Sequence, residues 1–143
     1  MKKKGFSLLE LLFVMGLMSL VGAMGVGVYG QVRRNEDMTA VVMQAVHLLN
    51  TARVKSVAGE GDMTWKVRLE TDRVKLQDEA GVTVEEYRLP VKYSLFGPIT
   101  ELEFSRADGR VEMCETGCAF ELRETEGSLS YQFKVLFSGV VEY

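Results

Sequence analysis

The pattern of apolar and polar residues changes character twice along the chain. From Phe6 to Tyr29 nearly every position is apolar or small, and one charge, Glu10, interrupts 24 residues. From Gln31 the polarity rises while a helical period persists. Met38, Val41, Val42, Ala45, Leu48, Leu49 and Ala52 recur at three- and four-residue steps, leaving Arg34, Asp37, Gln44 and Arg53 on the remaining polar surface. No proline or loop signal separates the two stretches, and Gly59-Glu60-Gly61-Asp62 supplies the first stop. One helix is therefore expected from Phe6 to about Ala58. At ~1.5 Å per residue it would run roughly 80 Å, more than a domain of this size can bury, so its first half is expected to project.

Beyond Asp62 the period becomes two. Trp65-Val67-Leu69 alternates with Lys66-Arg68-Glu70, and Val74-Leu76 with Lys75-Gln77. Glu79-Ala80-Gly81 reads as a turn, Val82-Val84 with Tyr87-Leu89 as a strand, Leu102-Phe104 as the next, and Gly97-Pro98 as a loop. Ala107-Asp108-Gly109 predicts a hairpin turn into a strand at Val111-Met113. Phe120-Leu122, Leu129 to Phe137 and Val140-Val141 complete seven or eight short strands. The expected fold is α+β: a long amino-terminal helix, membrane-spanning in its first half and amphipathic in its second, packed on a carboxy-terminal antiparallel β-sheet domain. The expected organisation is a leader at 1–5, the helix at 6–58 (apolar at 6–29, amphipathic at 30–58) and a β-rich globular domain at 59–143.

Charge sharpens this division. The net charge of -3 averages 17 Lys and Arg against 20 Asp and Glu. Lys2, Lys3 and Lys4 stand ahead of the apolar run, so residues from Gln31 onward hold 14 basic and 19 acidic side chains. That balance argues against nucleic acid as a partner. Leu11 to Tyr29 is 19 residues without a charge, enough to cross ~30 Å of hydrocarbon as a helix. The three lysines place the amino terminus in the cytoplasm and the remainder outside. A cleaved secretory signal has a shorter apolar core of ~7–15 residues and a small-residue cleavage site. Glu10 stands out because a carboxylate inside a bilayer costs at least ~2.5 kcal/mol.

The run Lys4-Gly5-Phe6-Ser7-Leu8-Leu9-Glu10-Leu11-Leu12 closely resembles the type IV prepilin signature. Its elements are a short basic leader, a Gly-Phe bond, a glutamate at fixed offset and a membrane-length apolar run. The resemblance implies cleavage by a prepilin peptidase between Gly5 and Phe6, followed by N-methylation of Phe6. It also implies anchorage in a bacterial inner membrane with the globular domain extracytoplasmic, and assembly with other pilin or pseudopilin subunits. In such an assembly Glu10 would pair with the Phe6 amine of a neighbour, two groups costly to bury singly acting together as a register device. Ser19, Ala23 and Gly27, spaced four apart, form a small-residue face that permits close helix approach. The family often has a proline in this stretch; here Gly22, Gly25, Gly27 and Gly30 stand instead, predicting a weak point in the helix. Ala52-Arg53, the Trp65-to-Leu69 strand, Asp108-Gly109-Arg110 and Phe137-Ser138-Gly139-Val140-Val141 are similar to the H-type minor pseudopilins of type II secretion and the FimT-like minor pilins. That similarity implies a structural subunit at or near the tip of a secretion pseudopilus or a type IV pilus. Some FimT-like minor pilins capture DNA, and for that alternative, a competence pilus subunit, Arg106 and Arg110 are the candidates.

The remaining motifs point to no enzyme, cofactor or metal site. Gly25-Val26-Gly27-Val28-Tyr29-Gly30 has the spacing of a dinucleotide fingerprint but lies in the apolar helix, without the strand and βαβ context that the fingerprint requires. The one histidine, His47, has no nucleophile motif to serve and reads as a helix contact residue. Asp78-Glu79 and Glu85-Glu86 lack an oxygen-ligand loop and read as turns and solvated strand faces. Cys114 and Cys118 either close a small ring across Glu115-Thr116-Gly117, a local clip of about 2 kcal/mol, or stand as two free thiols at a hairpin end.

Overall fold

The computed structural model of the chain describes residues 7–143, apart from the side chains of residues 24–28. It is α+β, as the pattern predicts. A single helix, α1, covers Leu8–Val57, and eight strands follow: β1 Trp65–Leu69, β2 Arg73–Gln77, β3 Thr83–Arg88, β4 Tyr93–Phe96, β5 Glu101–Phe104, β6 Cys118–Glu124, β7 Ser130–Val135 and β8 Val141–Glu142. Short 3-10 turns lie at Glu60–Asp62 and Glu112–Cys114. By packing, the chain divides into two compact units, Met1–Asp37 and Met38–Tyr143. In the first unit every described side chain is exposed.

The second unit is built on two four-stranded antiparallel sheets, ordered β3-β2-β1-β5 and β4-β6-β7-β8. Period-two alternation explains the faces they bury. Trp65, Val67 and Leu69 of β1 point inward with Val74 and Leu76 of β2 and Leu102 and Phe104 of β5. From the other sheet come Tyr93, Leu95, Phe120, Leu122, Phe133 and Val135. Phe120 and Phe133 are direct cross-strand partners whose rings stack with centroids 5.4 Å apart. The helix contributes Met38, Val41, Val42, Ala45, Val46, Leu48, Leu49 and Ala52 to the same buried cluster, matching the predicted apolar stripe and adding Val46.

Local chemistry ends the helix where the glycine signal lies. Gly59 takes a left-handed φ of 66°, and its N–H bonds the Ser56 carbonyl at 3.1 Å. Ser56 is fully buried, and its Oγ accepts the Trp65 N–H at 3.1 Å, tying the last helical turn to the start of β1. The Trp65 ring N–H donates to the Glu60 carbonyl at 3.1 Å, and Lys55 lies over the ring at 4.5 Å.

Two elements depart from the sequence reading. The turn at Ala107-Asp108-Gly109 forms, with Gly109 at φ 70° and its N–H bonded to the Ser105 carbonyl, but no strand follows. Val111 sends its N–H to the Phe137 carbonyl, and Glu112–Cys114 coils into a 3-10 turn. Backbone closure between Cys114 and Val111 satisfies groups that a strand would have left for a neighbour. The second departure is β4: four residues beside Gly97-Pro98 give too short an alternation to stand out, yet Leu95 is anchored from both sides. It is the register partner of Leu122, and its N–H bonds the Thr71 carbonyl at 2.9 Å.

Candidate functional site

The sequence motif converges on the first turn of α1. Ser7 immediately precedes the helix, and its carbonyl accepts the N–H groups of Glu10 at 3.0 Å and Leu11 at 3.1 Å. Glu10 therefore sits in the first turn, where the helix dipole favours a negative charge. Its neighbours Leu8, Leu9, Leu12 and Phe13 are 65% to 78% exposed. Among the described residues no ion pair or side-chain hydrogen bond reaches Glu10. Among the described residues this carboxylate therefore has no cationic partner, and the exposed side chains around it are apolar. Gly5 and Phe6, the expected cleavage and methylation positions, lie outside the described residues.

The other residues singled out from sequence are not brought to this turn. Cys114 and Cys118 are joined as a disulfide with Cα atoms 5.2 Å apart, closing the loop at Gly117, whose φ is 85°. Arg106 pairs with Asp62, and Arg110 lies 2.8 Å from Asp108 and over the Phe137 ring at 5.4 Å. The two arginines weighed as a basic patch are thus each matched to an acid. His47 is exposed on α1, its carbonyl accepting the Thr51 hydroxyl at 2.8 Å. The dinucleotide-like spacing at residues 25–30, rejected for want of a strand and βαβ context, falls inside α1. Asp78 caps its own turn by accepting the Val82 N–H at 2.8 Å, and Glu86 faces Arg88 at 2.8 Å and Arg73 at 3.5 Å. Among the described residues no group of three His, Cys, Asp or Glu is placed to hold a metal ion.

The outer face of the first sheet is a lattice of ion pairs. Lys66 on β1 lies between Glu101 and Glu103 of β5, at 3.8 and 3.3 Å, and Lys75 of β2 meets Glu70 at 2.8 Å. The Arg73 guanidinium, hydrogen-bonded to Asp72, holds that carboxyl below its ordinary value, and Arg88 does the same to Glu86. On the second sheet Arg123 lowers Glu121 in the same way. Desolvation pushes the Tyr87 hydroxyl upward.

Arg53, placed by the pattern on the polar surface, is instead half-buried, with its Nε shielded from solvent and without a hydrogen-bond partner among the described residues. A Cβ at Gly109 would press on Arg53 and Val57, and one at Gly139 would collide with the Gly109 carbonyl oxygen. The guanidinium stem is wedged where two turns cross, and only the pair of glycines lets them approach. Sequence reasoning gave these glycines no packing role, although both stand at turn positions.

Residues 1–26 match the family described as the prokaryotic N-terminal methylation motif. Over these residues the chain is type IV pilin-like, and its amino terminus resembles that of prepilin-peptidase substrates. The match ends three residues before the close of the apolar run Phe6 to Tyr29. No curated protein and no solved structure matches the chain.

Proposed function

We propose that the chain is a structural minor pilin or pseudopilin. A prepilin peptidase cuts between Gly5 and Phe6, the Phe6 amine is methylated, and the subunit joins a type IV pilus or a type II secretion pseudopilus, at or near its tip. The observation that carries this reading is the position of Glu10: one exposed carboxylate in the first turn of an otherwise apolar helix end, inside the matched methylation motif. Before assembly the uncharged run Leu11 to Tyr29 anchors the subunit in the bacterial inner membrane, with the lysine leader cytoplasmic. Among the described residues no helix is long and apolar enough to cross a membrane; the proposed span includes residues 24–28, whose side chains are not described. The Cys114–Cys118 disulfide supports an extracytoplasmic globular domain, since such bonds persist in oxidising compartments. Cleavage removes three lysines and creates one amine at the head of an apolar helix, the complement that Glu10 lacks among the described residues.

The DNA-capturing alternative is disfavoured by the pairing of Arg106 with Asp62 and Arg110 with Asp108. Comparison of wild type with Glu10→Leu tests the proposal: the variant should still lose Met1 to Gly5 yet fail to enter filaments. Assembly of Glu10→Leu at the wild-type level would remove Glu10 from its role.

A further inference from the structure

The two sheets have four outer edges, and three of them are closed or short. β4 gives its Leu95 N–H to the Thr71 carbonyl and its Tyr93 N–H to the Pro90 carbonyl. β5 runs into a turn in which the Ser105 N–H bonds the Arg110 carbonyl, and β8 has two residues. The fourth edge is β3, six residues long and outermost in the order β3-β2-β1-β5. Its hydrogen-bonding sides follow from the register. The Leu89 N–H bonds the Asp72 carbonyl at 2.8 Å, and Tyr87 and Glu85 stand opposite Val74 and Leu76. Because an antiparallel ladder alternates, Glu85, Tyr87 and Leu89 turn their backbone groups to β2, while Glu86 and Arg88 turn theirs outward. Among the described residues no backbone group meets that outward side. No proline or lysine guards the strand, and its register irregularity, at Leu76/Gln77, lies at its start, away from Glu86 and Arg88.

We infer that β3 takes up an extended segment of another protein as a fifth, antiparallel strand of its sheet, and that this segment carries an acid followed two residues later by a base. The occupant follows from charge complementarity. Glu86 and Arg88 lie on one face of the strand, 2.8 Å apart and opposite in sign. They are also the residues whose backbone faces an incoming strand, so each stands directly opposite one of its side chains. Every pair in this sheet is antiparallel, and in that direction the acid opposite Arg88 precedes the base opposite Glu86. Opposite charges across such a pair stabilise it and like charges oppose it, while the main-chain bonds hold the strand. Glu86-Tyr87-Arg88 itself has this order, so a second copy is the competing occupant. Two β3 strands paired antiparallel are related by a twofold axis normal to the sheet, which points the Met38 to Ala52 segments of the two copies in opposite directions. Subunits anchored in one membrane are oriented alike, which favours a different protein. That choice rests on the proposed membrane anchor; the open edge does not.

The test mixes the full-length protein in detergent with the peptide acetyl-Thr-Val-Glu-Val-Lys-Val-Thr-amide, or with the same peptide with Glu and Lys exchanged, and follows backbone amide exchange residue by residue. At millimolar concentration the first peptide should slow exchange at Glu86 and Arg88 by about tenfold or more, leaving Glu85 and Tyr87, already bonded to β2, unchanged. The exchanged peptide should bind about tenfold more weakly. Protection of neither amide, or equal protection by both peptides, overturns the inference. Protection of the same amides in the protein alone, rising with its concentration, assigns the edge to a second copy and overturns it as well. A Glu86→Lys, Arg88→Glu double variant should prefer the exchanged peptide, and an unchanged preference overturns the charge match. If that variant does not fold, the two peptides on the wild type still decide. None of these outcomes depends on processing at Gly5-Phe6, so failure here leaves the pilin reading intact.

Discussion

Three residues bear the most distinct loads, and each fails differently. Ser56 offers the acceptor for the Trp65 N–H inside the core, so Ser56→Ala leaves a buried donor unmatched. The expected loss is about 1–3 kcal/mol of unfolding free energy, measurable by urea titration in detergent. Gly139 combines a φ of 74° with contact against the Gly109 carbonyl, so neither strain nor crowding can be relieved by rotating a side chain. Gly139→Ala should cost about 2–3 kcal/mol and lower the thermal midpoint, whereas Gly81→Ala, at φ 81° with open space around it, should cost less. Glu10 touches neither of these. Its substitution should leave the unfolding curve of the globular unit unchanged and alter only assembly.

Long, strongly periodic elements were legible from the chain, and short ones governed by tertiary contacts were not. The apolar stripe Met38 to Ala52 read as a helix face because seven residues kept step, and all seven are buried. β1 and β2 were legible for the equivalent reason at period two. Val111-Met113 misled because its alternation suits a strand, while its backbone is satisfied by Phe137 and by its own 3-10 turn. Glu10 could be read directly from the motif, but the approach of Gly109 and Gly139 around Arg53 could not, since a turn glycine announces no neighbour until the fold brings one to it. At this scale the disulfide closes so short a loop that its removal by Cys114→Ser with Cys118→Ser should cost about 2 kcal/mol, read as a lower denaturation midpoint. The ion pairs on the sheets fix a pH dependence. Asp72, Glu86 and Glu121 have lowered values in the fold, so their contribution is present above the ordinary carboxylate range and lost as pH falls through the folded values. Stability should therefore decline in acid below about pH 4 and the decline should shrink in high salt, as expected for exposed pairs.

For the whole molecule, the near-neutral net charge conceals a basic leader, an apolar helix end and an acidic β unit. The proposed removal of residues 1–5 would turn -3 into -6 on side chains, because three lysines would leave with them. A surface of that sign, with Arg106 and Arg110 each paired to an acid, should not retard duplex DNA in a shift assay even at low salt. Retardation that weakens steeply with salt would restore the competence reading. The central claim is that the chain matures at Gly5-Phe6 into a subunit whose new amine meets Glu10. Intact-mass measurement of the protein from cells with an active prepilin peptidase tests it most directly. The account predicts a protein that has lost the five residues Met1 to Gly5, begins at Phe6 and carries one methyl group on its amine. A protein that retains Met1 to Gly5 in those cells would contradict it.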